Sequence, residues 1–313
     1  MPPSIQGSKA FWKVRWLQLG AVIQHLGVPT YFLTLTANDN WPELRWLTED
    51  QPAIRHPYES TICFLNRFTM LSEWLWGRHC IFGKVDAHWY RLEFQHRGSL
   101  HVHILLWAAK DAKPPSEVIC ATVPTAEEDD ELRELVLTYQ IHQCSERCWK
   151  PGTETCRYGF PDALRPQDTL NEAGDRYLYR RLKEEDRRVS PYARELLALW
   201  VGNMNLQCVT VGGMVRYLTK YVAKMEPSYR LTLQRSLQED AVASYFRCRV
   251  LGAPEVMTYL LSIHLTQCTR SVVFINTEQH PLRMLKTQQE LAAMKPDDTG
   301  TLALHLFFCL VVC

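Results

Sequence analysis

The sequence lacks the patterns that mark several common functional classes. It contains no Gly-x4-Gly-Lys-Ser/Thr phosphate-binding loop, so a nucleotide-driven helicase motor is absent from these residues. It also lacks an excess of either charge, because 35 Lys and Arg offset 34 Asp and Glu, leaving a formal net charge of +1. A near-neutral chain does not attract polyanions over its whole surface. Any affinity for nucleic acid must therefore come from local basic patches.

Segments for secretion or membrane insertion are also missing. Lys9, Lys13 and Arg15 interrupt the apolar residues near the start, unlike a secretory signal. The apolar residues 302–313 are too few to span a bilayer, so we expect no membrane partner. The 11 cysteines are odd in number and unevenly placed. They favour reduced thiols and a metal cluster over a disulfide framework.

The residues that are present predict a folded chain of α+β type. At 313 residues with 46% hydrophobic side chains, the chain can form one large or two medium domains. Helices are predicted from Phe11 to His25, over 58–79 and from an acidic start at Ala126. Buried β structure is predicted for Tyr31 to Thr36, and a strand for 81–95.

A β-hairpin is predicted on either side of Gly98, a residue that suits a tight turn. Apolar side chains recur at every second position, as in half-buried strands. They are Tyr90, Leu92 and Phe94 in the first arm, and Val102, Ile104 and Leu106 in the second. A three-residue loop would place Gln95 opposite His101 and Glu93 opposite His103, all on one face. A two-residue loop would separate these groups.

His101 and His103 are candidate ligands of a divalent metal. Side chains two residues apart on a strand are about 6–7 Å apart along the backbone, close enough to share one ion. Two histidines with Glu93 or Gln95 leave coordination positions open, which suits phosphate chemistry. The alternative is a half-exposed strand whose histidines are incidental.

A second candidate metal site lies further along the chain. His142, Cys144, Cys148 and Cys156 lie within fifteen residues, in a stretch rich in turn formers. One tetrahedral Zn²⁺ with a structural role would satisfy all four. The alternative is a group of buried free cysteines.

Two further stretches combine tyrosine with basic residues. Residues 176–188 interleave Arg and Lys with Tyr177 and Tyr179, a composition that suits single-stranded nucleic acid, although acidic neighbours equally favour a salt-bridged surface. Residues 215–224 predict a helix. One of its faces carries Val215, Leu218 and Val222, and nearly the opposite face carries Tyr217, Lys220, Tyr221 and Lys224.

Four motifs, together with segments at 245–257 and 271–276 that follow them, resemble Helitron rolling-circle transposases over about residues 28–280. The first is Phe32-Leu-Thr-x-Thr36 with Trp41-Pro-Glu43, and the second is Glu93-Phe-Gln-x-Arg-Gly-x-x-His101-x-His103. Leu100 stands where that family usually has Pro. The third is the Cys/His element ending in Arg157-Tyr-Gly-Phe-Pro161, and the fourth is Tyr217-x-x-Lys-Tyr221.

This resemblance implies a His-hydrophobic-His (HUH) endonuclease, with a central antiparallel sheet that carries the histidine strand, flanking helices and a zinc-binding insert. It implies an endonuclease domain at 28–230, with the insert at about 140–162, and a C-terminal extension at 231–285. Outside the resemblance, we expect an N-terminal extension at 1–27 and a truncated or disordered tail at 286–313. A helicase domain would be a missing partner. The implied location is the nucleus.

The implied reaction is nicking and strand transfer of single-stranded DNA. Mg²⁺ or Mn²⁺ would be held by His101, His103 and either Gln95 or Glu93. Tyr217 or Tyr221 would attack the phosphate with help from Lys220, leaving a 5′-phosphotyrosine. Arg97, Arg216 and Lys224 would contact the DNA. The alternative is a transposon-derived, zinc-stabilised DNA-binding or interaction protein that no longer catalyses.

Overall fold

A computed structural model describes residues 6–94, 99–150, 152–211, 252–276 and 307–312. These ranges contain seven α-helices. They are α1 (Lys9–Leu26), α2 (Pro42–Leu47), α3 (Pro57–Leu75), α4 (Pro115–Val118), α5 (Ala126–Tyr139), α6 (Arg194–Trp200) and α7 (Ala253–Leu260). None of the helices in these ranges is both long enough and apolar enough to cross a membrane.

The described strands form one five-stranded sheet and two small ribbons. The strands are β1 (Tyr31–Thr36), β2 (Val85–Phe94), β3 (Leu100–Ala108), β4 (Thr169–Leu170), β5 (Tyr177–Leu178), β6 (Met204–Cys208), β7 (Thr266–Cys268), β8 (Ser271–Asn276) and β9 (Phe307–Val312). The large sheet has the order β6-β1-β3-β2-β7, and all its pairings are antiparallel. The predicted α+β class and antiparallel sheet are confirmed, with the histidine strand β3 at the centre.

Local sequence signals account for most element boundaries. The strand predicted from Tyr31 to Thr36 is confirmed at both ends. The helix predicted from Phe11 to His25 begins slightly earlier, because the Ser8 side chain accepts a hydrogen bond from Phe11 N and caps it. The helix with the acidic start is closed at its N-terminus by a capping box between Thr125 and Glu128.

One helix and one strand are shorter than predicted. The helix predicted for 58–79 ends at Leu75, because the chain turns back near Gly77, where His79 N donates to Glu73 O. The strand predicted for 81–95 begins only at Val85, since residues 81–84 form a turn in which Gly83 has a φ of 90°. Glycine adopts this positive φ without the steric cost of a side chain.

The apolar face of the hairpin lies on the main core, as predicted. Val102, Ile104 and Leu106 are fully buried on this face. Helices α3 and α6 cover it, and aromatic rings fill the space between them. Trp41 and Phe64 lie edge-on to Trp200, with ring centroids 5.0 and 5.4 Å from it.

The opposite face, which carries the histidines, is partly covered by α1. Leu19, Val22 and Ile23 of that helix pack on an apolar part of the sheet that comprises Phe32, Ala87, Trp89, Leu105 and Trp107. The helix therefore covers the apolar part of the histidine face. The polar part lies beyond it and holds the candidate site, where His101, His103 and Glu93 are also buried.

Residues from the predicted N-terminal and C-terminal extensions contact or extend the sheet. The helix α1 belongs to the predicted 1–27 extension, and β7 belongs to the predicted 231–285 segment and pairs with β2. Within the predicted 286–313 tail, Phe307–Val312 is a strand paired with β8 rather than irregular chain. The predicted domain boundaries themselves stay predictions.

Candidate functional site

A row of polar residues crosses the histidine face of the large sheet. The pairing places one residue from each strand in line: Asn205, Thr34, His103, Arg91 and Thr266. The adjacent row contains Thr36, His101 and Glu93. Two imidazoles and a carboxylate thus share one polar patch of this face, beside its apolar part.

The hairpin register differs from the predicted one by two residues. Glu93 lies opposite His101, Arg91 lies opposite His103, and pairing ends at Phe94 opposite Leu100. The register expected from a three-residue loop at Arg97 to Ser99 is therefore wrong. An even shift leaves each side chain on its original face, so Glu93 and both histidines still share one side. The loop was predicted from Gly98 alone, which cannot fix its length.

His103 is held from both sides. Its Nε2 lies 2.7 Å from Glu93 Oε2, and its Nδ1 lies 2.9 Å from Thr34 Oγ1. An ionised carboxylate can only accept, so Nε2 donates to Glu93, and the Thr34 hydroxyl is the hydrogen-bond partner of Nδ1. The ring also stacks on Phe32, with centroids 5.7 Å apart. These contacts fix the orientation of the imidazole.

His101 is held less tightly than its neighbour. Its Nε2 lies 3.2 Å from Thr36 Oγ1, and its Nδ1 lies 3.4 Å from the Ser99 carbonyl oxygen. Burial, and then the nearby His103, lower the pKa of His101 to about 4. The imidazole is therefore neutral near pH 7, which is the form that binds metals.

A buried arginine completes this patch. Arg91 is fully buried, and its guanidinium carbon lies 3.7 Å from the centroid of the Trp12 ring. The ring belongs to α1 and provides a cation–π contact. Arg91 places positive charge beside the histidines, within the row that also holds His103.

The sheet residues fit a divalent ion by their chemistry but are not arranged around one. Two imidazoles and a carboxylate are suitable ligands. However, the position between His103 Nε2 and Glu93 is taken by the proton they share, and His101 Nε2 faces Thr36. Among the described residues, three or more such donors converge at the Cys/His insert and not at this patch.

The Cys/His insert brings its four predicted ligands together. The ligand atoms of His142, Cys144, Cys148 and Cys156 all lie within 4.8 Å of one another. Tetrahedral zinc with Zn–S bonds near 2.3 Å spaces its sulfurs about 3.8 Å apart, so only a small contraction is needed. The predicted cluster is confirmed as a group that could bind a metal such as zinc.

Backbone and side-chain contacts support this cluster. Cys148 Sγ accepts from Ser145 N at 3.1 Å, and Arg188 Nη1 donates to Cys144 Sγ at 3.4 Å. Burial raises the pKa of Cys156, but hydrogen bonds from the backbone N–H groups of Phe160 and Tyr158 and from the thiols of Cys144 and Cys148 together outweigh it, so the pKa is lowered. A lowered pKa favours the thiolate, the form that binds metal.

A buried carboxylate anchors the chain that follows the cluster. Asp186 accepts hydrogen bonds from the backbone N–H groups of Val123, Leu182 and Lys183 at 2.8 to 2.9 Å. Arg181, also buried, contacts the Asp186 carbonyl oxygen and bonds to Asp162 at 3.2 Å. These contacts attach the insert to the body of the protein.

The basic stretch at 176–188 therefore has mixed roles. Arg181 and Asp186 are structural, and Tyr179 is buried, with its hydroxyl 3.2 Å from Gln207 Oε1. Arg187 and Glu184 form a surface pair, as the salt-bridged alternative predicted. Arg176 and Arg180 remain exposed.

Several predicted site residues lie outside the described ranges. They are Gln95, Arg97, Arg216, Tyr217, Lys220, Tyr221 and Lys224. Their assignments as third ligand, DNA contacts, nucleophiles and helper stay predictions. Their placement relative to His101 and His103 stays a prediction as well.

Sequence reasoning missed the residues that orient the imidazoles. Thr34 and Thr36 lie on the neighbouring strand, almost seventy positions before the histidines. The signal was present, because Phe32, Thr34 and Thr36 alternate with fully buried leucines in a run that was predicted to be a strand. Knowing that β1 pairs with β3 would have identified them.

Comparison with known proteins gives one family match. No curated protein matches the chain. Residues 1–106 of the 313 match the family model described as the Helitron helicase-like domain at the N-terminus. The matched residues contain Glu93, His101 and His103 and end before the Cys/His insert. This match supports a Helitron-related protein.

Proposed function

We propose that this chain nicks single-stranded DNA and transfers the cut strand through a covalent tyrosine intermediate, as the endonuclease domain of a Helitron-like transposase. One observation carries the proposal: two imidazoles, a carboxylate and a buried arginine share one patch of the central sheet. The family match over the same residues supports it. The proposal assigns the chain to the nucleus.

The roles of the sheet residues follow from their chemistry. His101 and His103, with Glu93 or Gln95, would hold Mg²⁺ or Mn²⁺, which supplies Lewis acidity to the scissile phosphate. Thr34 and Thr36 keep the imidazoles oriented. Arg91 would add positive charge beside the histidines, where the phosphate charge develops.

The tyrosines would perform the bond exchange. The phenolic oxygen of Tyr217 or Tyr221 forms a bond to phosphorus, and the bond to the 3′ oxygen breaks. The phenol loses its proton, the 3′ oxygen gains one, and a 5′-phosphotyrosine remains. Tyrosine has a reference pKa near 10, so Lys220 would help by stabilising the phenolate. The covalent bond conserves the energy needed to join a second strand.

A metal-dependent nicking assay tests this proposal. A labelled single-stranded oligonucleotide should be cut in Mg²⁺ or Mn²⁺ and should form an adduct with the protein on a denaturing gel. His101→Ala and His103→Ala should abolish cutting. The Tyr217→Phe/Tyr221→Phe double variant should bind DNA without forming the adduct, because it lacks both nucleophilic oxygens. An adduct in the double variant would assign the reaction to another residue.

A second candidate function is a zinc-stabilised DNA-binding protein without catalysis. The observation that favours it is the engagement of the imidazole nitrogens by Thr34, Thr36, Glu93 and Ser99, while the converging donors belong to the insert. In the same assay, such a protein would shift the oligonucleotide on a native gel but would cut it with neither metal.

A further inference from the structure

A cleft separates the Cys/His insert from β6, which is an edge strand of the large sheet. Its volume is about 340 Å³, within the range of small-ligand sites. The insert contributes Tyr158 and Phe160 to one wall. The other wall contains Asn203, Asn205 and Gln207, and the segment around Arg176 and Tyr177 completes the lining.

The cleft continues the histidine face of the sheet. Asn205 pairs with Thr34 and Gln207 pairs with Phe32, so their side chains share the face of His103. His103 lies two strands from Asn205, which corresponds to about 10 Å at the usual strand spacing. A chain crossing the sheet from the histidines towards the β6 edge would therefore enter the cleft.

Arg176 supplies positive charge to this cleft. The residue is exposed, and its guanidinium makes no ion pair or hydrogen bond with the described residues. It lies against Gly159, where an added Cβ would be 3.5 Å from Nη1. The acidic residue of the lining, Asp162, is already paired with Arg165 and Arg181. The guanidinium can therefore bind an anion from outside the protein.

Aromatic and amide groups line the same cleft. Tyr158 is 46% exposed, and Tyr177 is half-buried with its ring 5.2 Å from that of Tyr179. Arg157 Nη2 donates to the Tyr158 hydroxyl at 2.8 Å, which limits the motion of that ring. An exposed aromatic ring beside an arginine is the arrangement that binds an unpaired base and its phosphate.

We propose that this cleft binds a nucleotide of the single-stranded DNA that extends from the scissile phosphate. Arg176 contacts its phosphate, and Tyr158 and Tyr177 stack on its base. Asn203 Oδ1 and Asn205 Nδ2 contact the base edge, since Asn203 Nδ2 donates to Tyr139 O and Asn205 Oδ1 accepts from Gln207 Nε2. The inference rests on the proposed nicking function for its substrate. Stacking requires an unpaired base, so the ligand is single-stranded and not duplex DNA.

Fluorescence anisotropy with a labelled single-stranded oligonucleotide of mixed sequence tests the proposal. The full chain is used, in buffer without Mg²⁺ or Mn²⁺ so that no cutting occurs. Tyr158→Ala and Arg176→Gln should each weaken binding about tenfold. Arg176→Gln should also reduce the slope of log affinity against log salt by about 0.7, which corresponds to one lost phosphate contact on a single strand.

Matched controls separate the cleft from the rest of the surface. Arg180→Gln removes an exposed arginine of the same segment, and Tyr58→Ala removes an exposed tyrosine of α3. Both should bind DNA like the wild type. Zinc content and melting temperature are measured for all four variants, because the Tyr158 ring also contacts that of His142, with centroids 5.7 Å apart. Values that match the wild type exclude a damaged insert as the cause of weaker binding.

The outcomes distinguish this inference from the proposed function. If the wild type nicks DNA and forms the adduct while the Tyr158→Ala/Arg176→Gln double variant keeps its affinity, the cleft proposal is wrong and the nicking proposal stands. If the cleft variants lose affinity but the wild type never cuts, the cleft binds DNA and the nicking proposal fails. Equal losses for duplex and single-stranded probes would overturn the single-strand assignment.

Discussion

The two histidine-containing groups of this protein differ in what their donor atoms face. In the insert, four ligand atoms point at one another within 4.8 Å. On the sheet, the nitrogens of His101 and His103 point at hydroxyl, carboxylate and carbonyl oxygens of neighbouring residues. A structural site is closed by its own ligands, whereas a site that works on a substrate keeps positions for it.

The difference also concerns how each group is supported. The insert donors lie within fifteen residues and depend on tight local turns, as in the backbone bond from Arg157 N to Cys148 O at 2.7 Å. The sheet donors depend on strand pairing between distant segments. We therefore expect metal loss to unfold the insert, and changes at the sheet patch to affect catalysis more than folding.

The largest expected effect is the loss of the insert metal. Cys148→Ser should remove the approximately one zinc per chain that we expect in the purified protein. It should destabilise the insert by about 5 kcal/mol or more, since structural zinc supplies folding energy directly. Metal analysis and limited proteolysis near residues 142–162 would measure both effects.

Cys80→Ser is the matched control for this change. Cys80 lies outside the cluster and donates to Leu75 O at 3.1 Å, a bond that serine can keep. The control should retain its zinc and resist the protease. A Cys148→Ser protein that lacks zinc and still resists proteolysis would refute the structural role of the metal in the insert.

The next effect concerns the carboxylate that anchors the segment after the insert. Asp186→Asn replaces one oxygen acceptor by a donor among three backbone N–H groups. We expect the free energy of unfolding to fall by about 3 kcal/mol. Urea denaturation would measure it, with Asp111→Asn in an exposed turn as the control. A loss below about 0.5 kcal/mol would mean that the insert is anchored by other contacts.

Acidification tests a third buried histidine, which lies on the core face of the sheet. His88 is buried and stacks on Trp76 with centroids 3.8 Å apart, and burial lowers its pKa to about 4. In the unfolded chain its pKa is about 6.5. Between these values only the unfolded state binds the proton, so stability should fall as the pH drops from about 6.5 to about 4. The full contribution is at most about 3 kcal/mol.

His88→Phe should keep the stacking and remove this proton uptake. Its free energy of unfolding should therefore depend less steeply on pH over that range. The control is His79→Phe, because His79 also stacks on a tryptophan, Trp74, but is exposed. If both variants follow the wild-type pH profile, His88 does not contribute to the acid sensitivity of the fold. Burial of a histidine would then not be enough to predict such a contribution.

Features that depend on one short stretch of sequence were predicted better than features that depend on the pairing of distant strands. The insert cluster was predictable because all its donors lie in one short stretch, and the β1 boundaries followed from its β-branched and aromatic residues. The hairpin register was not predictable, because a loop around Gly98 has several permitted lengths. The register error is two residues, and an even shift keeps each side chain on the same face of the sheet. Glu93 was therefore still assigned to the correct face.

The unpredicted parts of the site all come from separate segments. Thr34, Arg91 and Asn205 join His103 in one row only because β6, β1, β3 and β2 pair in that order. Nothing in the local sequence of any one strand specifies this order. The same holds for the cleft, whose walls are more than forty residues apart in the sequence.

The smallest expected effect tests whether the Thr34 hydroxyl orients the His103 imidazole for metal binding. Thr34→Val removes the hydroxyl 2.9 Å from His103 Nδ1 and keeps the shape and strand preference of the side chain. Stability should fall by about 1 kcal/mol for the lost hydrogen bond. Metal-dependent nicking should fall about tenfold, since a partner that orients a metal-binding imidazole typically contributes that much. Thr36→Val should have a smaller effect, because the contact from Thr36 Oγ1 to His101 Nε2 is longer, at 3.2 Å.

The readout of this last prediction is the nicking rate as a function of Mg²⁺ or Mn²⁺ concentration. A loosened imidazole should raise the metal concentration needed for half-maximal cutting, whereas a general loss of fold would lower the rate at every concentration. Thr169→Val, in the exposed ribbon of β4, is the control, and zinc content should be unchanged in all three variants. If Thr34→Val reaches half-maximal cutting at the same metal concentration as the wild type, the Thr34 contact is only structural. The sheet patch would then be a structural element, like the insert.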